Sequence, residues 1–157
     1  MQDMLVRLYD LPPLDDARRE ADKHGVAIRR AAAPEKIRIV DWVNRHFTRI
    51  WASEADVAFS NAPVTCFVGV KAGDLVGFAC HEVTCKNFFG PTGVLADHRG
   101  LGIGRALLLE TLWDQRHQGY AYSIIAGVGP AEFYRKAVGA TLIDGSTPGF
   151  FDGLLLD

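Results

Sequence analysis

At 157 residues the chain has the length of one domain with a substantial core. Hydrophobic residues make up 48% and charged residues 23%, and the formal net charge is −2. That balance gives no global reason to expect nucleic acid or an anionic membrane as partner. The start, Met1-Gln2-Asp3-Met4, lacks the basic-then-apolar order of a secretory signal, and charged residues or glycines interrupt every apolar run. With no export signal, the odd count of three cysteines (Cys66, Cys80, Cys85) reads as reduced thiols, and the expected location is cytoplasmic. Cys80, His81 and Cys85 match no zinc spacing, so no metal is expected.

In chain order, residues 4–9 read as a short strand, and Leu14 to His24 as a polar helix closed by Gly25. Val26 to Arg30 alternates as a strand does. Pro34 opens a helix in which Ile37, Val40, Val43 and Phe47 recur at helical spacing, with Ile39 beside the stripe. A second helical piece spans Ala52 to Phe59. Three strand signals follow: Thr65 to Val70, Leu75 to Val83, and Phe88 to Ala96. Lys71-Ala72-Gly73-Asp74 turns between the first two, and Gly90-Pro91 interrupts the third as an edge or bulge would. A wide-faced apolar helix is expected from about Gly102 to Gln118, then a buried strand from Ala121 to Val128. A helix from Pro130 ends before Gly139, and two strand-like pieces close the chain, Ala140 to Ile143 and Phe150 to Leu156. The order gives an α/β fold with a mixed sheet rather than a repeating βαβ array.

The chemistry-bearing segment is Val94-Leu95-Ala96-Asp97-His98-Arg99-Gly100-Leu101-Gly102-Ile103-Gly104-Arg105. A strand ends, a glycine-rich turn follows, and a helix begins inside the turn. The first helical amides lack internal acceptors and the helix dipole adds partial positive charge, so phosphate or pyrophosphate suits this point. A nucleoside triphosphate loop would need Gly-Lys-Ser/Thr, and a dinucleotide fingerprint would open an early βαβ unit; neither is present.

Arg99-Gly100-Leu101-Gly102-Ile103-Gly104 resembles the Arg/Gln-x-x-Gly-x-Gly/Ala signature of GNAT N-acetyltransferases. Phe133-Tyr134-Arg135-Lys136 before Gly139-Ala140 resembles a later helix of that family, and Ile28-Arg29-Arg30-Ala31 its first strand. The resemblance covers roughly residues 25–157 and leaves residues 1–24 as an N-terminal extension. It implies a GNAT fold: a mixed, mostly antiparallel sheet with helices on both faces and a splayed parallel strand pair. It implies acetyl-CoA as cosubstrate, with Val94, Leu95 and Ala96 pairing the pantetheine arm and Arg99, Gly100, Leu101, Gly102, Ile103, Gly104 and Arg105 binding pyrophosphate. The bulge that splays the strands would fall at Thr92-Gly93.

The resemblance further implies direct attack of an amine on the thioester in a ternary complex, with Tyr134 as general acid beside the sulfur. An ungapped count back from Gly139 would put Arg135 there instead, and a guanidinium cannot deliver a proton, which favours the phenol. For the general base the nearest candidates are Glu82 and His81, near the end of the preceding strand; both also read as solvent-facing strand residues. Trp42, His46 and Trp51 come from the region that walls the acceptor site, and Phe88 and Phe89 are within reach of it. The acceptor is a small-molecule or peptide amine, a homodimer is allowed, and a non-catalytic acyl-CoA sensor is the alternative function.

Overall fold

A computed structural model describes residues 1–156. Among them the chain forms one mixed sheet between two helical layers. The strands are β1 (Met4–Arg7), β2 (Val26–Arg30), β3 (Cys66–Lys71), β4 (Asp74–His81), β5 (Phe88–Val94), β6 (Tyr122–Ile125) and β7 (Thr141–Leu142). The helices are α1 (Leu14–Lys23), α2 (Lys36–His46), α3 (Arg49–Ala58), α4 (Ile103–His117) and α5 (Ala131–Val138). The sheet order is β2-β3-β4-β5-β6-β1-β7. Every pairing is antiparallel except β5 with β6. The expected fold class is the observed one.

Strand periodicity divides the core in two. Phe67 and Ala79 point to the face covered by α4 and α1, while Val68, Phe78 and Cys80 point to the face covered by α2 and α3. Central β4 is therefore buried along nearly its whole length. In α4, Leu107, Leu108, Leu109 and Leu112 are wholly buried, each contributing about 1.5–3 kcal/mol of apolar transfer. Such a broad apolar face follows from a helix that spans β2 to β6 and also carries α1. Arg18 of α1 holds Glu110 at 2.6 Å, and the Trp113 indole donates to the Pro12 carbonyl at 3.0 Å.

Residues 1–24 are built into this body. β1 pairs with β6 on one side and β7 on the other, and Met4, Val6, Leu8, Ala17 and Ala21 are buried in the α4 core. Occupation of that sheet position by β1 bears on the C-terminus, where the strand expected at Phe150 to Leu156 does not form. The tail crosses the N-terminus instead: the Met1 ammonium donates to the Pro148 carbonyl, and the Asp3 amide to Ser146 Oγ. The piece expected at 140–143 shortens to the two residues of β7.

The α2 stripe also differs from expectation. Ile39 and Val43 are the buried residues, whereas Ile37 is 75% exposed. Lys36 is the first residue of α2, with a short 3-10 turn at Ala33–Glu35 before it. Helical phase is then set by the aromatic contacts of Trp42 and Phe47 against Phe78.

Candidate active site

Two features make the site: a divergence between β5 and β6, and the glycine turn that leads from β5 into α4. The parallel pair exists only at Phe88↔Ile124 and Phe89↔Ile125. Beyond it Gly90 adopts φ +120° and Pro91 offers no amide, so β5 cannot continue a ladder with β6. Opposite this kink the β4 register shifts between Ala79 and His81. The break thus lies two residues earlier than Thr92-Gly93; those residues pair regularly with Ala79 and Phe78. Val94 faces Gly77 on β4, and Leu95 N donates to Val76 O at 2.9 Å. The other edge of residues 90–94 is unpaired among the described residues.

At the turn, Gly102 is the residue preceding α4 and has φ +77°, a left-handed conformation that costs other residues energy. The amides of Gly100 to Arg105 have no acceptor among the described residues; Ala106, with Gly102 O, starts the helical pattern. Arg99 is exposed, and its Nε donates back to the Val94 carbonyl at 3.2 Å, joining the turn to the end of β5. An added Cβ at Gly104 would lie 3.7 Å from Val94 Cγ2 and 3.9 Å from Phe133 Cζ, so β5, α4 and α5 converge there. Orphan amides, a glycine cradle and a helix N-terminus fit a pyrophosphate.

On α5, Tyr134 and Arg135 have opposite environments. Tyr134 is 6% exposed and meets the Phe89 ring edge-on at 6.2 Å, at the closed end of the divergence. Burial pushes its phenol up to about 12 from an ordinary 10. Arg135 points outward to Glu132 at 2.6 Å, half exposed. Tyr134 thus faces the core and Arg135 the surface.

Glu82 and His81 are both turned away from solvent, unlike the strand residues they resemble in sequence. Glu82 is at φ +60° and only 4% of its side chain is exposed. Its carboxylate accepts from the Asn87 amide and from Tyr120 Oη at 2.8 Å, closing the loop between β4 and β5. His81 is wholly buried, and its Nε2 lies 2.8 Å from Asp114 Oδ2. Asp114 also accepts two hydrogen bonds from Arg30, at 2.5 and 3.1 Å. Burial pushes Asp114 up, but the bonds from His81 and Arg30 outweigh it and hold the carboxyl at about 2. Neither side chain is thereby directed at the divergence.

Trp42, Phe47, Trp51 and Phe78 form one aromatic cluster on the α2–α3 side, with centroid separations of 5.5 to 6.3 Å. Phe47 comes so close to Gly93 that a Cβ there would lie 2.5 Å from its ring. An open cavity of about 450 Å³ lies along α2 beside Arg38, Trp42, His46 and Asp74, and none of its lining belongs to β5, α5 or the glycine turn. One carboxylate passed over in the sequence, Glu54 of α3, is partly buried near β5; nothing in its spacing distinguishes it from a surface helix residue.

A strand that leaves its parallel neighbour is thus followed by a helix start with free amides, and an unpaired strand edge leads toward it. The family model of the GNAT acetyltransferases matches residues 35–140, and the chain belongs to that family. No curated protein matches the sequence. Among solved structures, a fungal glucosamine N-acetyltransferase region within a multidomain β-N-acetylglucosaminidase superposes with a TM-score of 0.73 at 17% identity over 90% of this chain and 19% of that one. A GCN5-related N-acetyltransferase from Sphaerobacter thermophilus gives 0.65 at 20% identity over 90% of this chain and 48% of that one. A GNAT acetyltransferase from Brucella melitensis, solved with acetyl-CoA, gives 0.57 at 19% identity over 76% of this chain and 88% of that one. At these identities the likeness is one of fold. The chain spans about a fifth and a half of the first two proteins. Among the described residues no helix is long and apolar enough to cross a membrane.

Proposed function

We propose that the chain transfers an acetyl group from acetyl-CoA to a primary amine. The observation that carries this reading is the continuity of the open β5 edge at 90–94 with the acceptor-free amides of Gly100 to Arg105. The arm of the cosubstrate would run along the free edge of β5 as far as Val94. Leu95 and Ala96, expected to pair with it, turn instead into a short 3-10 turn, with the Leu95 amide held by Val76. The pyrophosphate would take the helix amides. The β5 backbone donates to the thioester carbonyl, which stabilises the oxygen charge that develops on attack. Tyr134, a phenol buried beside Phe89, gives its proton to the departing thiolate.

Gly104→Leu tests the reading, because space at that position allows the fold while a branched side chain would occupy the pyrophosphate site. The expected result is loss of acetyl-CoA binding by calorimetry at an unchanged melting temperature. Wild-type affinity in the variant would remove the site. Release of free CoA thiol over an amine panel then distinguishes transfer from binding alone.

A further inference from the structure

Attack on a thioester needs a neutral amine, and an ammonium must lose its proton near the divergence of β5 and β6. On the α2–α3 side, two ties fix where α3 lies over β5. Toward Gly93, Phe47 fills the space beside the glycine and stacks on Trp51 at 5.6 Å and 30°. One turn further on, Glu54 accepts the Thr84 hydroxyl at 2.5 Å, in the loop that leads into Phe88. Gly90 and Pro91, where β5 leaves β6, lie along the strand between Phe88 and Gly93, and opposite them on β4 is Cys80, whose thiol feels the Glu54 charge. Phe88 points opposite to Phe89 and hence toward this same side, where Phe150 of the tail meets it at 5.2 Å.

We propose that Glu54 is the general base of this chain and that the acceptor is a cationic amine with an apolar body, received between Glu54 and the Phe88–Phe150 pair. The proposal rests on the acetyl-transfer reading. The Glu54 carboxylate takes a proton from the ammonium; the amine nitrogen then forms the amide bond as the carbon–sulfur bond breaks, and the second proton it sheds restores the Tyr134 phenol after that has protonated the thiolate. The thiolate is protonated and Glu54 returns its proton to water, so one ammonium and one thioester give one amide, one thiol and one proton.

The surroundings suit the task. Burial raises the Glu54 carboxyl, with the Thr84 hydroxyl as the opposing influence. The ionisable group facing it from β4 is the Cys80 thiol, itself pushed up by burial. Lys36 pairs with Asp56 and Lys86 with Glu82. A carboxylate raised in this way is closer in proton affinity to an amine than an exposed one.

The test is the pH profile of kcat/KM for thiol release, with acetyl-CoA and a panel of glucosamine, spermidine, phenylethylamine and a peptide N-terminus. Glu54→Gln keeps the shape and an acceptor for Thr84. It should lower kcat by about 10²-fold or more with an unchanged Kd for acetyl-CoA, and abolish the acidic limb. Thr84→Val removes the bond that favours the anion and should move that limb to higher pH, which a structural tie alone would not do. Turnover in Glu54→Gln equal to wild type would overturn the role of Glu54 while leaving acetyl transfer standing. A wild-type chain that binds acetyl-CoA and acetylates none of the panel would overturn both.

Discussion

Gly102→Ala should destabilise the protein by roughly 2–3 kcal/mol, before any ligand is considered. A left-handed φ costs a non-glycine residue roughly 1–2 kcal/mol, and here φ is +77°. The added methyl would also lie 2.9 Å from Glu20 Cγ and 3.6 Å from its Cβ on α1. Clearing that contact needs an off-rotamer Glu20 or a shift of α1, at about 0.5–1.5 kcal/mol. For a domain of this size 1 kcal/mol corresponds to about 2–4 °C, so thermal unfolding followed by circular dichroism should move down by about 4–12 °C. Gly104→Ala is the control, since its methyl meets only ordinary contacts at 3.7 and 3.9 Å; its melting temperature should hold or rise. Adding Glu20→Ala to Gly102→Ala should return the steric part, a coupling of about 1 kcal/mol. A Gly102→Ala protein that melts with wild type, or a double variant with no coupling, would refute the left-handed turn pressed against α1.

Tyr134→Phe should lower turnover by roughly 10²–10⁴-fold and leave the acetyl-CoA Kd nearly unchanged, with Arg135→Ala close to wild type in the same assay. Glu82→Gln should retain turnover within a few-fold, whereas Glu82→Ala should lower stability by about 1–3 kcal/mol by leaving the Asn87 amide without its acceptor. Acid should destabilise the fold partly through Asp114. Its folded carboxyl is held at about 2 against an ordinary 3.8, so its contribution is complete above the ordinary value and is lost as pH falls through about 2. The shift corresponds to about 2 kcal/mol. Urea unfolding between pH 5 and pH 2 should show that loss in the wild type and less of it in Asp114→Asn.

The architecture was readable from local sequence where local forces decide it. The alternation at Val26 to Arg30, the turn at Lys71-Ala72-Gly73-Asp74, the wide apolar face of α4 and the glycines at 100, 102 and 104 each state a backbone geometry within a few residues. Such signals identified the mixed sheet and the glycine turn into α4, whereas Tyr134 was singled out by the family resemblance. Other features depend on which segments meet. Ile37 and Ile39 are equally apolar, and contacts made by Trp42 and Phe47 choose which of them is buried. The tail at 150–156 has the composition of a strand, but β1, more than a hundred residues away, occupies the sheet between β6 and β7. Glu82 and Glu54 are alike in sequence as single carboxylates beside apolar neighbours. Only tertiary packing ties the first into its own loop and sets the second against Thr84 in the loop that leads into β5, because burial and hydrogen-bond partners come from residues far along the chain.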